Sequence, residues 1–367
     1  MSASEQRPQP RPGIMKISRY VGGEGGLPGI DEPIRLASNE SALGPSPQAI
    51  AAYAAAKDSL HRYADGGAAS LRRALGARHG IDPGRIVVGN GSDEIIGLVT
   101  KAYAGPGDEV LFSRHGFAMY PIATLTAGAT PVMAPETDYR ADVDAMLDLV
   151  SERTKIVFLA NPNNPTGSYL SAAEVARLHA GLPPDVLFVV DAAYAEYVTR
   201  NDYTDGLELA EANENVAMMR TFSKIYGLAA LRVGWCYAAP AVCDVLHRTR
   251  GPFNVNAAAQ AAALAALDDV GHIDRARAHN DIWLPWFSEQ VEQLGLTVLP
   301  SIGNFVLVGF PSEDGKNADA AEAHLKADGV IPRPVAGYGL PDFLRITVGL
   351  EDEMRAVVAS LRTFVGR

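Results

Sequence analysis

The sequence predicts an α/β protein: a three-layer, mainly parallel sheet with helices on both faces, plus a smaller α+β domain. Three observations carry that expectation. Continuous apolar runs such as Ile86-Val87-Val88, Lys155-Ile156-Val157-Phe158-Leu159 and Val186-Leu187-Phe188-Val189-Val190 recur between helical stretches, and strands of that kind belong to sheets covered on both faces. A chain of 367 residues is long for one domain, which favours two subdomains. Near Gly251 the rhythm changes, as an Ala-rich stretch at 257–267 leads into a polar helix around 275–282.

The chain then divides in order. Residues 1–13 are polar and Pro-rich, which predicts a disordered tail. Residues 14–45 read as an N-terminal arm and part of the small domain. This arm carries the Gly-rich loop Tyr20-Val21-Gly22-Gly23-Glu24-Gly25-Gly26, from which Tyr20 could reach a pocket. Residues 46–265 form the large domain. In it Ser46 caps and Pro47 opens a helix to about Lys57, and Ser70 caps an amphipathic helix with Leu71, Leu75 and Arg78. The strand at 86–88, a helix at 95–103 and strands at 109–112, 130–132, 155–159, 186–190 and 216–220 follow. Residues 266–367 make the small C-terminal domain, with strands at 298–299, 304–308 and 343–348 and helices near 318–327 and 351–361.

Totals narrow the function. The formal charge of −11, from 32 Lys and Arg against 43 Asp and Glu, disfavours nucleic acid or an anionic membrane as the main partner. Cys236 and Cys243 read as buried thiols, and the eight histidines show no ligand spacing, so no disulfide framework and no metal site are expected. No apolar run approaches the roughly 18 residues of a membrane span. With no apolar signal core at the N-terminus, a cytoplasmic location is the default.

The chemistry gathers around Arg220-Thr221-Phe222-Ser223-Lys224-Ile225-Tyr226-Gly227-Leu228-Ala229-Ala230-Leu231-Arg232. A lysine that is partly desolvated and near other cations becomes a nucleophile able to hold a carbonyl cofactor as a Schiff base, most often pyridoxal phosphate. Ser223 and Arg232 suit that cofactor's phosphate. Taken alone, Lys224 fits better as a surface lysine before a core strand; agreement with four other segments overturns this.

Gly89-Asn90-Gly91-Ser92-Asp93-Glu94 follows a strand and opens a helix. It is either a plain joint or, with Ser92 as cap, an anion cradle at a helix N-terminus. Asn161-Pro162-Asn163-Asn164-Pro165-Thr166-Gly167 ends another strand and is more elaborate than a turn requires. An Asn side chain there could donate to a phenolate oxygen. Asp191, at the end of an apolar strand, either caps the next helix or keeps a pyridine nitrogen protonated, with Tyr194 close by. Phe117 could stack on a ring, although aromatics are usually core. Arg345 shares a strand face with Phe343 and Thr347, so it stands at an exposed edge or binds an anion. Arg333 raises the same question.

Together these segments resemble the fold-type-I pyridoxal-phosphate aminotransferases and, within that group, are similar to the histidinol-phosphate aminotransferases. The likeness runs from about Tyr20 to Val365. Its motifs are Ala37-Ser38-Asn39-Glu40 with Gly44-Pro45-Ser46-Pro47, the segments at 89–94, 161–167 and 220–224, Pro252-Phe253-Asn254-Val255-Asn256, and Leu344-Arg345-Ile346-Thr347-Val348-Gly349. The resemblance implies that Lys224 carries the cofactor and moves protons between Cα and C4′. Asp191 pairs with the pyridinium, Asn164 and Tyr194 with the ring oxygen, and Phe117 stacks on the ring. Ser92, Asp93, Ser223 and Arg232 surround the phosphate, joined by Tyr63 from a second subunit of a homodimer. Arg345 takes the substrate's anion, helped by Asn39, Tyr20 and Arg333.

Two positions depart from the family pattern. Ala192 stands where the family has Glu, which costs a carboxylate but leaves Asp191 and Tyr194; Ala64 stands where Pro is common. The implied reaction is transamination between histidinol phosphate and 2-oxoglutarate, or imidazole-acetol phosphate and glutamate in the biosynthetic direction. An aromatic amino-acid aminotransferase is the nearest rival, since an imidazole pocket can tolerate Phe or Tyr. A threonine-phosphate decarboxylase-like lyase or a non-enzymatic binding module are further alternatives.

Overall fold

The computed structural model of the chain describes residues 8–20 and 22–366. Seven strands form the main sheet in the order Ile86–Gly89, Gly234–Ala238, Val216–Thr221, Leu187–Asp191, Thr154–Ala160, Glu109–Ser113, Thr130–Ala134. All neighbours run parallel except Gly234–Ala238, which is antiparallel to both of its partners. Every residue of Leu187–Asp191 and of Val216–Thr221 is buried, as expected of strands with a helix layer on each face. One core cluster contains Val190, Met218 and Phe222; the other face packs Val189, Ala217 and Cys236.

A second sheet of four antiparallel strands follows the order Thr297–Val298, Phe305–Gly309, Phe343–Thr347, Arg333–Pro334. Its core includes Val306, Leu344, Ile346 and the apolar side of the 24-residue helix Val270–Gln293. The N-terminal part joins this unit through Ile34–Arg35, which pairs in parallel with Val330–Ile331.

Three local readings need correction. The strand Gly234–Ala238 was not anticipated; its Gly-punctuated lead-in hid it. Ser70 does not cap its helix, Ala69–His79; the Asp65 carboxylate does, accepting from the backbone N–H groups of Gly67 and Ala69. Ser92 is the first residue of Ser92–Tyr103 rather than its cap, and Gly91 occupies the cap position at φ 78° without a side-chain bond. Of the expected tail, residues 1–7 lie outside the described residues, as does Val21 of the Gly-rich loop.

The topology decides where chemistry collects. Because Gly234–Ala238 runs against its neighbours, the segment linking it to Val216–Thr221 loops over the carboxyl edge of the parallel strands. That single loop carries Ser223, Lys224 and Arg232 to the edge where Asp191 ends its strand and Asn164 follows Thr154–Ala160.

Candidate active site

At this edge a cavity of about 170 Å³ opens between the two sheets. From the large sheet it is lined by Ser92, Asp93, Phe117, Asn164, Asp191 and Tyr194, and from the linking loop by Ser223, Lys224 and Arg232. Tyr20, Asn39, Arg333 and Arg345 close it from the arm and the small sheet. The structure thus brings together all the candidate residues except Tyr63. That side chain is exposed, stacked on Phe253 with ring centroids 4.7 Å apart, and does not line the cavity of its own chain.

Lys224 donates from Nζ to the Ser38 carbonyl at 3.0 Å. Burial brings its pKa down to about 8, Arg345 and Arg232 push the same way, and Asp93 and Glu40 oppose them. The amine is therefore closer to its nucleophilic form at neutral pH than a solvated lysine. Asp191 is pushed up to about 7 by burial and by Asp93, against a hydrogen bond from Tyr120 and the charge of Lys224. It caps no helix. Its Oδ2 accepts from the Tyr120 hydroxyl at 2.9 Å, while Oδ1 is buried without a partner.

The anion end is equally built. Arg232 donates from Nη1 to Ser223 Oγ at 3.1 Å and from Nη2 to Asp93 Oδ2 at 2.8 Å. A Cβ placed on Gly91 would come within 2.5 Å of Arg232 Nη2, and the φ of 78° there is one that side chains rarely adopt, so glycine suits the position under the guanidinium. Arg232 and Asn39 hold φ of 55° and 54°, a left-handed backbone that costs non-glycine residues energy and collects at functional sites.

Arg345 is buried, not at an exposed edge. It donates from Nη2 to the Ala37 carbonyl at 2.6 Å and from Nη1 to Asn164 Oδ1, and its Nε is buried without a partner. With Oδ1 committed to the guanidinium, the Asn164 amide is oriented to turn its N–H₂ the other way. The Tyr194 hydroxyl accepts from Asn39 Nδ2 at 2.8 Å, and burial raises its pKa well above the usual phenol range. Arg333 is the cross-strand partner of Arg345, and like charges facing across a ladder repel unless an anion lies between them. Tyr20 lies under the Arg333 guanidinium, 5.7 Å from ring centroid to Cζ. Phe117 is held on a loop anchored by Glu136, which accepts from the backbone N–H of His115 at 3.0 Å and pairs with its ring at 2.8 Å.

Sequence reasoning missed Tyr120, Tyr338 and the Ser38 carbonyl. Tyr120 follows Phe117 by three residues in the sequence, which was the available signal; Tyr338 gave none. Ala192 is wholly buried.

The residues fit a group with an anionic end, a ring nitrogen and a carbonyl carbon: a cationic cradle, an orphaned carboxylate oxygen and a desolvated amine. Together with the mixed seven-stranded sheet, they define an aminotransferase-type site. The profile described as aminotransferase class I and II matches residues 31–361, and the chain belongs to that family. Within it the chain is 58% identical over 359 residues to a histidinol-phosphate aminotransferase of Paramagnetospirillum magneticum, covering 98% of this chain and 99% of the relative. A second, from Rhodospirillum centenum, is 57% identical over 96% of this chain and 98% of its own. Among solved structures, the histidinol-phosphate aminotransferase of Sinorhizobium meliloti in complex with pyridoxal-5'-phosphate superposes with a TM-score of 0.90 at 29% identity, covering 99% of both chains.

Proposed function

We propose that the chain is a pyridoxal-phosphate-dependent aminotransferase that exchanges the amino group between histidinol phosphate and 2-oxoglutarate in histidine biosynthesis. The observation that carries the substrate assignment is 57–58% identity to relatives of that name along nearly the whole chain. The cofactor, when bound, supplies a protonated pyridine ring that accepts the electrons freed when a substrate Cα–H bond breaks.

The chain's own residues do the rest. Lys224 Nζ would hold the cofactor's carbonyl carbon and, once the substrate's amine displaces it, would carry the proton from the substrate Cα to the cofactor's C4′ carbon. Asp191 Oδ1 holds the ring nitrogen in its protonated form. The Asn164 N–H₂, oriented by Arg345, and the Tyr194 hydroxyl hold the ring oxygen. Phe117 covers one ring face, and Ser92, Asp93, Ser223 and Arg232 hold the phosphate. Arg232 must then divide its donors between that phosphate and Asp93.

Arg345, Arg333, Asn39 and Tyr20 form the substrate's anion pocket. A planar guanidinium accepts a carboxylate or a phosphate with similar geometry, which fits one pocket serving glutamate and a phosphate ester. The exposed Tyr63–Phe253 pair supports a homodimer in which Tyr63 reaches the partner's phosphate site. No helix among the described residues is long and apolar enough to cross a membrane; we place the enzyme in the cytoplasm.

The test is a spectral titration of the cofactor-loaded enzyme. Histidinol phosphate and glutamate should each convert its visible absorbance to that of the pyridoxamine form. Conversion by phenylalanine but not by histidinol phosphate would reassign the enzyme to aromatic amino acids. No conversion by any of them would point to the lyase or the binding module.

A further inference from the structure

The two oxygens of Asp191 are used differently, and the difference has one cause. Tyr120, on the helix Met119–Ala127, is wholly buried, and its hydroxyl donates to Oδ2 at 2.9 Å. Oδ1 is left as a buried atom without a protein partner on a residue that lines the cavity. The Tyr120 ring is itself clamped. It stacks on Phe158 with centroids 4.6 Å apart and planes 6° apart, and it meets Phe117 edge-on at 5.9 Å and 87°. Both arrangements are favourable aromatic geometries. One side chain therefore touches the acid expected at the ring nitrogen and the aromatic expected on the ring face, while lining none of the cavity itself.

We propose that Tyr120 is a positioning residue that fixes which Asp191 oxygen meets the cofactor's ring nitrogen and keeps that oxygen ionised. The inference rests on the pyridoxal-phosphate reading of the site. A phenol beside a carboxylate can only donate, because burial and the Asp191 charge both raise its pKa. The groups facing Asp191 are Asp93 on Ser92–Tyr103, the backbone N–H of Ala193, Lys224 on the linking loop, Tyr120, and the neutral Tyr194. Burial and Asp93 disfavour the carboxylate; the side chains of Tyr120 and Lys224, with the Ala193 backbone N–H, favour it. Of these two side chains only Tyr120 has no other chemistry to perform. Its loss moves one shared proton from the ring nitrogen toward Oδ1, with no other atom gained or lost.

The experiment compares wild type and Tyr120→Phe, each loaded with cofactor labelled with ¹⁵N in the ring. In wild type the nitrogen signal should report the protonated form throughout the neutral range. In Tyr120→Phe it should move toward the unprotonated form, with kcat lower by about tenfold and KM little changed, as for loss of one hydrogen bond to a charged group. Adding Tyr120→Phe to Asp191→Asn should cost nothing further, because the residue acts through the carboxylate. An unchanged nitrogen signal in Tyr120→Phe, or an equal loss in both backgrounds, overturns the inference and leaves the cofactor reading standing. A wild-type protein that takes up no cofactor overturns both.

Discussion

Along the wall built by the large sheet, Asp191, Asn164 and Lys224 each stand within a few residues of the strand that presents them. The opposite wall is assembled from far-apart pieces. Leu36 accepts from the Thr347 backbone N–H at 2.9 Å, the Asn39 N–H donates to Thr347 Oγ1 at 3.0 Å, and Asn304 Nδ2 donates to the Asn39 carbonyl at 3.1 Å. The walls also differ in what they offer a ligand. The sheet wall presents an orphaned carboxylate oxygen, which calls for a proton-bearing partner. The facing wall presents two arginines in cross-strand register, which calls for an anion. One wall is thus suited to a resident ring and the other to a passing substrate.

Breaking each wall should therefore give different losses. The largest belongs to Lys224→Ala, which should abolish both turnover and the visible absorbance of bound cofactor; transamination surviving that change would remove the lysine from its role. Arg345→Gln comes next. We expect kcat/KM to fall about 100- to 1,000-fold, the scale for removing one partner of a buried charge pair. The cofactor's absorbance should remain, and losing it would show that the walls are not separable in this way.

The smallest effect sharpens the contrast without substrate. In the cofactor-free protein burial makes Asp191 hold its proton up to about pH 7, against 3.8 for an ordinary aspartate. The folded chain then binds more protons than the unfolded chain between those values, so stability falls as pH rises through that window and stays lower above it. Asp191→Asn removes this slope. The melting temperature of the variant should exceed wild type by a few degrees above pH 7 and converge with it near pH 4; equal curves at both would mean that Asp191 is not a buried, orphaned acid.

The same contrast explains what could be read in advance. The sheet wall was legible because a parallel strand announces its end: apolar residues stop and Asp191, Asn161 or Ser223 follows. Arg345 was legible as a charge in an apolar strand, but its link to Asn164 was not, since 181 residues separate them. Tyr120 looked like any core aromatic, because a buried phenol betrays its hydroxyl partner only in three dimensions. The cap on Ala69–His79 was assigned to Ser70 by type, whereas Asp65 reaches it by folding back over two glycines. Gly234–Ala238 escaped notice for a related reason: its reversal depends on the loop before it, not on its own composition.

The stitching of Leu36–Asn39 to Thr347 has a consequence in time. While the chain is being synthesised, all seven strands of the large sheet are available once Gly234–Ala238 has emerged, and one face is covered when Ala259, Ala263 and Leu267 follow. The arginine wall must wait until residue 347 is available to bind the segment near residue 37. A nascent chain can thus present the lysine, the acid and the anion cradle well before it owns a substrate seat or the Arg345 that orients Asn164.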